Sequence, residues 1–124
     1  MPGKRPVYLN LFKIRQPLPA VVSFLHRVSG ALLFLAIPLF LRGMQLMLDS
    51  EAGFEEVRQS LVNPLVKLAV FGLAWAGLHH FFAGLRFLAL DVELGVDLGS
   101  ARKTSAVVLA TSGVLTLLIG VWLW

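Results

Sequence analysis

The stretch from Thr104 to Trp124 contains no charged side chain, and most of its residues are apolar. Two longer stretches are also mostly apolar, one from about Ala20 to Leu48 and one from about Pro64 to Leu90. A helix needs about 20 largely apolar residues to cross the hydrocarbon layer of a membrane. A soluble chain of 124 residues could not bury the apolar surface that goes with 57% hydrophobic and 15% charged residues. We therefore predict an all-α integral membrane protein, a single domain of residues 1–124 with three transmembrane helices at about 20–48, 64–90 and 104–124.

Two polar segments connect these spans. Residues 49–63 hold five charged side chains, four of them acidic, and Phe54, Val57 and Leu61 recur at helical spacing. This pattern predicts a short surface helix. Asn63-Pro64 predicts the start of the second span, because asparagine caps helices and proline is tolerated at the first helical position. We interpret residues 91–103 as a polar turn region.

Basic residues are distributed unevenly over the connections. Four of them, Lys4, Arg5, Lys13 and Arg15, precede the first span, and Arg102 and Lys103 lie in the second connection, whereas the first connection holds only Arg58. Cytoplasmic segments of membrane proteins carry the excess of lysine and arginine. We therefore predict that the N-terminus is inside and the C-terminus outside. The net charge of +4 is then a topology signal, and no nucleic-acid partner is expected.

Small residues recur along the third span. Ala106, Ala110, Gly113 and Gly120 form a stripe that allows another helix to approach closely. Packing among the three helices of this chain is the favoured interpretation. Three helices make a poor independent membrane domain, so we also expect the chain to be part of a larger helix bundle.

Ionisable residues inside membrane spans are costly and point to a function. Ser23, His26, Arg27 and Gly30 have helical spacing and are predicted to share one face near the inner end of the first span. His79, His80 and Arg86 lie in the second span, which returns to the same side. If that span leaves the hydrocarbon near Arg86, His80 lies roughly 9 Å deeper. The two groups are therefore predicted to be close enough to share one site.

Two ligands suit such a site. Neutral imidazole is a common axial ligand of haem iron, and haem propionates need cationic or hydrogen-bonding partners. The same donors suit the carbonyl oxygens of a quinone. Structural roles remain open for each residue: Arg27 as an interfacial anchor, His26 as a hydrogen-bonded interfacial residue, and the histidine pair as an interhelical contact. Arg86 is expected to anchor the second span and to pair with Asp91.

The adjacent histidines cannot serve one axial position, because they point about 100° apart on a helix. Gly77 and Gly84 lie on the face of His80 and leave room for a porphyrin. Ala76 and Ala83 flank His79 in the same way. The geometry of the helix therefore favours His80 over His79 as the axial ligand only slightly.

The segment RPVYLNLFKIRQPLPAVVSFLHRVSG, residues 5–30, resembles the N-terminal signature of the cytochrome b subunit of succinate dehydrogenase, in which Ser-x-x-His-Arg-x-Ser/Thr-Gly follows an Arg-Pro. The segment HFFAGLRFLALD, residues 80–91, is similar to that family's His-x-x-x-Gly-x-Arg-His-x-x-x-Asp pattern. Phe87 stands where the family has a second histidine, a position that is not the usual ligand. Two spaced motifs in the same order make the resemblance specific over nearly the whole chain.

The resemblance implies roles for four of the matching residues. His80 would be an axial ligand of a haem b, with the second ligand from a companion small membrane-anchor subunit. Ser23 and Arg27 would line a ubiquinone site, and His26 and Arg27 would lie near the haem propionates. Iron–sulfur and flavoprotein subunits would dock on the inner face of a bacterial cytoplasmic (inner) membrane. The chain has no cysteine, so it holds no cysteine-ligated cluster of its own.

The predicted function is therefore a membrane anchor that passes electrons from the iron–sulfur subunit to quinone, without itself oxidising succinate. One alternative is the anchor of a fumarate reductase or menaquinone-linked homologue. Another is a non-redox subunit of a transporter or an assembly component, which would use histidine and arginine for packing or proton relay.

Overall fold

The structure, a computed structural model, describes residue 10 and residues 13–124. Within them it contains no strand and four helices: α1 Leu18–Asp49, α2 Glu51–Ser60, α3 Pro64–Asp91 and α4 Leu98–Leu123. By length and composition, α1, α3 and α4 can each cross a membrane. The prediction of an all-α protein with three candidate spans is confirmed. Lys4 and Arg5, on which the orientation and the first motif partly depend, lie outside the described residues.

Polar side chains cap the three later helices. The side-chain oxygen of Asn63 accepts from the backbone N–H of Leu65 at 2.9 Å, as the Asn63-Pro64 signal predicts. Ser50 caps α2 in the same way, and the predicted short surface helix is confirmed. Asp97 accepts from the backbone N–H of Ser100 at 2.8 Å. Because of this cap, α4 begins at Leu98, six residues before the predicted span, and the polar turn is shorter than expected.

The long helices pack with α3 between α1 and α4. Their buried apolar core is small and consists of Val22, Ala83 and Val108, with Phe82, Phe87 and Leu109 packed against it. It lies at the end of the bundle where α1 begins, α3 ends and α4 begins, which we call the proximal end. The other end, which carries α2, is the distal end. The only buried residues of α1 are Val22 and Ser29, so its distal half packs loosely.

The buried face of α4 consists of three hydroxyl residues, Ser105, Ser112 and Thr116, and one apolar residue, Val108. Each hydroxyl donates to a carbonyl oxygen four residues earlier in α4, at 2.7 Å, and can therefore be buried as a small, satisfied group. The predicted internal packing of the small-residue stripe is wrong for three of its members. Ala106 and Ala110 are exposed, and a Cβ at Gly113 would meet no neighbouring atom. Gly120 alone meets another helix, at the ring of Phe71.

Candidate functional site

The imidazole of His80, on α3, points at α1. Its Nδ1 lies 3.1 Å from the carbonyl oxygen of His26 and 3.2 Å from Oγ of Ser29. Ser29 is fully buried, and its hydroxyl donates to the same His26 carbonyl at 2.8 Å. A carbonyl oxygen can only accept, so Nδ1 of the neutral ring carries the proton and donates to both oxygens. The lone pair of the ring is then on Nε2, and the hydrogen bonds of the ring to described residues are all made by Nδ1.

Gly30 provides the space for this ring. A Cβ at Gly30 would lie 2.9 Å from Cε1 and 3.3 Å from Nδ1 of His80, well inside an ordinary contact distance. On α3, a Cβ at Gly77 would meet no atom of the described residues, and one at Gly84 would lie 3.7 Å from Nε2 of His26. The glycine against which His80 packs is therefore on α1. Gly77 leaves open space on the His80 side of α3, as the sequence predicts.

His26 stacks on His80. Their ring centroids are 4.1 Å apart and their planes differ by 9°. Phe87, at the position where the related motif has a second histidine, packs against His26 with centroids 5.1 Å apart. The predicted convergence of the two polar segments is therefore confirmed for His26 and His80.

Ser23 and Arg27 are not part of these contacts. Ser23 is half-buried and Arg27 is exposed, and neither side chain has a hydrogen bond or ion pair among residues 13–124. The four α1 residues predicted to share one face therefore do not all point in the same direction. His26 and Gly30 are turned to α3, whereas Arg27, the next residue after His26, is turned outward.

His79 lies in a different environment from its neighbour. It is fully buried among the helices, and its ring stacks on Trp75 with centroids 5.2 Å apart. It faces the backbone of Val22, but neither ring nitrogen makes a hydrogen bond of acceptable geometry with a described residue. The packing therefore separates two histidines that the sequence could hardly distinguish.

Arg86 is only 8% exposed and faces α4. Its Nε donates to the Thr104 hydroxyl at 3.1 Å. The predicted pairing with Asp91 is wrong: no ion pair joins them, and Asp91 is exposed. Five residues correspond to a rotation of about 140° around a helix, which turns the two side chains in different directions.

A cleft of about 890 Å³ opens beside His80 between the distal halves of α1 and α3. Gly30 and Leu33 line it next to His80, and Val57 and Leu61 of α2 line its far end. Its volume is within the range of about 300–1,000 Å³ that is usual for small-molecule and cofactor sites. Sequence reasoning did not find this cleft, because its walls are ordinary apolar residues of three helices.

Residues 1–119 match the family model described as succinate dehydrogenase/fumarate reductase transmembrane subunit. The chain belongs to this family. The membership agrees with the resemblance drawn from the two motifs, both of which lie within the matched residues.

Individual relatives extend over most of the chain. The succinate dehydrogenase cytochrome b556 subunit of Coxiella burnetii is 38% identical, with 100% of both chains covered. That of Paracoccus denitrificans is 31% identical over 94% of this chain and 89% of its own length. The mitochondrial cytochrome b560 subunit of Sus scrofa is 30% identical over 86% of this chain and 64% of its own. With three apolar helices and such bacterial relatives, this chain is a multi-pass inner-membrane protein of the succinate dehydrogenase cytochrome b type.

Proposed function

We propose that this chain is the membrane-anchor cytochrome b subunit of a succinate:ubiquinone oxidoreductase, where it holds a haem b and forms part of the quinone site. The observation that carries the proposal is the hydrogen bonding of His80. The carbonyl of His26 and the hydroxyl of Ser29 fix Nδ1 as the protonated nitrogen, which leaves Nε2 as a metal ligand.

The residues around His80 fit a haem. Histidines that bind metals usually donate their other ring N–H to a carbonyl or similar acceptor, which fixes the tautomer and the ring orientation. His80 has this arrangement, and an apolar cleft of about 890 Å³ lies beside it. The relatives are named cytochrome b subunits, which supports a b-type haem here. When bound, the haem supplies a one-electron redox centre. His26 and Arg27 would contact its propionates, and the second axial histidine would come from a companion membrane-anchor subunit.

Ser23 and Arg27 suit the head group of a quinone. They are one helical turn apart at the proximal end of α1, and neither is engaged with another described side chain. The hydroxyl and the guanidinium can donate hydrogen bonds to quinone oxygens, which become more negative as electrons arrive. The nearby interface gives access to the protons that complete the reduction.

Charge supports an inside location for the proximal end. Among the described residues, this end carries six basic and three acidic side chains, whereas the distal end carries three basic and four acidic ones. By the positive-inside rule, the N-terminus is inside and the C-terminus outside. The iron–sulfur and flavoprotein subunits would then dock at the proximal end and deliver electrons close to Ser23 and Arg27. The many exposed apolar residues of α1 leave room for the companion anchor.

The haem assignment is tested in the purified complex that contains this chain. His80→Ala should remove the b-type haem absorption while the subunits stay assembled, because it deletes the ring nitrogen that would bind the iron. Phe81→Ala is the matched control, since Phe81 is adjacent and 58% exposed. An unchanged haem spectrum in the assembled His80→Ala complex would refute the assignment, and a wild-type complex without haem would favour a non-redox role.

The quinone assignment needs a second comparison. Ser23→Ala and Arg27→Leu should lower succinate:quinone reductase activity, the arginine variant by about 10-fold or more, the usual effect of losing a charged hydrogen-bond donor. Succinate oxidation with a soluble artificial acceptor should change little. Arg42→Leu is the control, because Arg42 is an exposed arginine of α1 at the distal end. Equal loss of both activities would indicate failed assembly and would contradict a local role at the quinone.

The family description also covers fumarate reductases. A menaquinone-linked enzyme running toward fumarate reduction is therefore the second candidate. Comparing the rates of the wild-type complex with ubiquinone and with menaquinone analogues, in both directions, distinguishes the two.

A further inference from the structure

Arg86 is a buried cation without an anion in the described part of the chain. One of its N–H groups is bonded to Thr104, an uncharged partner, and the Phe87 ring lies 5.6 Å from the centre of the guanidinium. The remaining N–H groups have no hydrogen-bond partner among those residues. An arginine inside a membrane protein normally pairs with an anion or with carbonyl groups. An acceptor from outside the described residues is therefore expected at Arg86.

A cleft of about 280 Å³ lies next to Arg86, between the proximal ends of α3 and α4. Lys103 and Thr104 also line it, so two cations and a hydroxyl occupy one region. The rest of the lining is largely apolar: Phe82, Ala89, Leu90, Leu94, Val107 and Val108. The cleft thus combines a cationic region with an apolar surface at the proximal ends of two candidate membrane spans.

This cleft is separate from the proposed haem and quinone sites. His80 and Arg86 are six residues apart on α3, which turns their side chains about 120° from each other. His80 faces α1, whereas Arg86 faces α4. Neither Ser23 nor Arg27 lines the Arg86 cleft.

We propose that the Arg86 cleft binds an anionic phospholipid of the surrounding bilayer. The phosphate pairs with Arg86 and Lys103, and an acyl chain lies on the apolar surface between α3 and α4. A phosphate is a bidentate acceptor that matches the guanidinium geometry. Two cations at one cleft favour a head group with net negative charge over a zwitterionic one.

The lining of the cleft favours a lipid over a small soluble anion. A small soluble anion would satisfy Arg86 but would leave the apolar lining uncovered.

Native mass spectrometry of the intact detergent-solubilised complex tests the proposal, with phosphatidylglycerol and phosphatidylcholine as probes. The wild-type complex should hold one phosphatidylglycerol more tightly than phosphatidylcholine. Arg86→Gln and Lys103→Gln should each weaken that binding about 10-fold, as expected from losing one charged hydrogen bond. Arg102→Gln is the matched control, because Arg102 precedes Lys103 but does not line the cleft.

Three results would overturn the proposal. The first is phosphatidylglycerol binding that is unchanged in both Arg86→Gln and Lys103→Gln. The second is displacement of the lipid by millimolar inorganic phosphate, which would identify a soluble anion as the ligand. The third is loss of a neighbouring subunit from Arg86→Gln with normal lipid binding, which would identify a protein carboxylate as the counter-anion. Lys103 is exposed, so its variant remains informative if Arg86→Gln does not assemble.

Discussion

The rings of His26 and His80 are stacked 4.1 Å apart, with their planes 9° from parallel. The backbone carbonyl of the first residue also accepts from Nδ1 of the second. With the second bond from Nδ1 to Oγ of Ser29, one ring pair and two hydrogen bonds join α1 to α3 at this place. The position of the His80 imidazole therefore depends on how closely these two helices approach.

Removing the Ser29 hydroxyl should weaken haem binding without removing it. Ser29→Ala deletes one of the two acceptors of Nδ1, and only the His26 carbonyl remains. Losing such a partner of a ligating histidine typically lowers metal affinity by about 10- to 100-fold. Haem content and midpoint potential of the purified complex provide the measurement. Ser105→Ala on α4, whose buried hydroxyl bonds only within its own helix, should leave both values unchanged.

A methyl group at position 30 should displace the His80 ring. The Cβ of Gly30→Ala would lie 2.9 Å from Cε1 of His80, so the ring or the helix must move. We expect a changed haem spectrum and a lower haem content. Gly72→Ala on α3, which does not line the cleft beside His80 and would meet no atom within 4 Å, serves as the control. Identical spectra for the two variants would show that the α1–α3 approach does not control the site.

The end of α4 should fray when Lys67 is replaced. Nζ of Lys67 donates to the Leu123 carbonyl at 3.0 Å and lies 5.4 Å from the Trp124 ring centroid. Lys67→Met loses both contacts, which together stabilise this end of the helix by about 1–2 kcal/mol. Hydrogen exchange at the last turn of α4 should become faster, whereas exchange near Ser105 should not change. Faster exchange along the whole helix would contradict a local effect of Lys67 on the end of α4.

Protonation of Asp97 should loosen the start of α4. The backbone N–H of Ser100, with a further contribution from its hydroxyl, holds the pKa of the Asp97 carboxyl below its ordinary value. A lowered pKa in the folded state means that the ionised carboxylate stabilises the fold. This contribution is present above the pKa of the unfolded chain and is lost as the pH falls through the folded pKa. Asp97→Asn keeps a neutral cap, so exchange in the first turn of α4 should lose this acid dependence. An equal acid dependence in wild type and variant would assign it to another group.

The three spans, the surface helix and the polar segments at a common depth could all be predicted from the sequence. Each of these depends on the position of residues along the membrane normal, and the cost of transferring each residue from water to lipid sets that position. The convergence of His26 with His80 followed from the same information, and the Asn63 cap followed from local helix-capping chemistry. The cap at Asp97 could not be predicted in this way, because Asp97 lies within residues 91–103, whose polar composition indicates a turn rather than the start of a helix.

The direction in which each helix face points could not be predicted in the same way. Lipid and neighbouring helices are both apolar, so hydropathy does not distinguish a face that packs from one that meets lipid. The small-residue stripe of α4 was therefore assigned inward, whereas the hydroxyl face is the buried one. Because α3 packs between α1 and α4, His80 contacts Ser29 and His79 is buried among the helices. Arg86, on another face of α3, donates to Thr104. The sequence determines how deep each residue lies in the membrane, because the cost of transfer from water to lipid is a property of each residue. The rotation of each helix about its axis is decided only by the tertiary structure, because it depends on which side chains fit together.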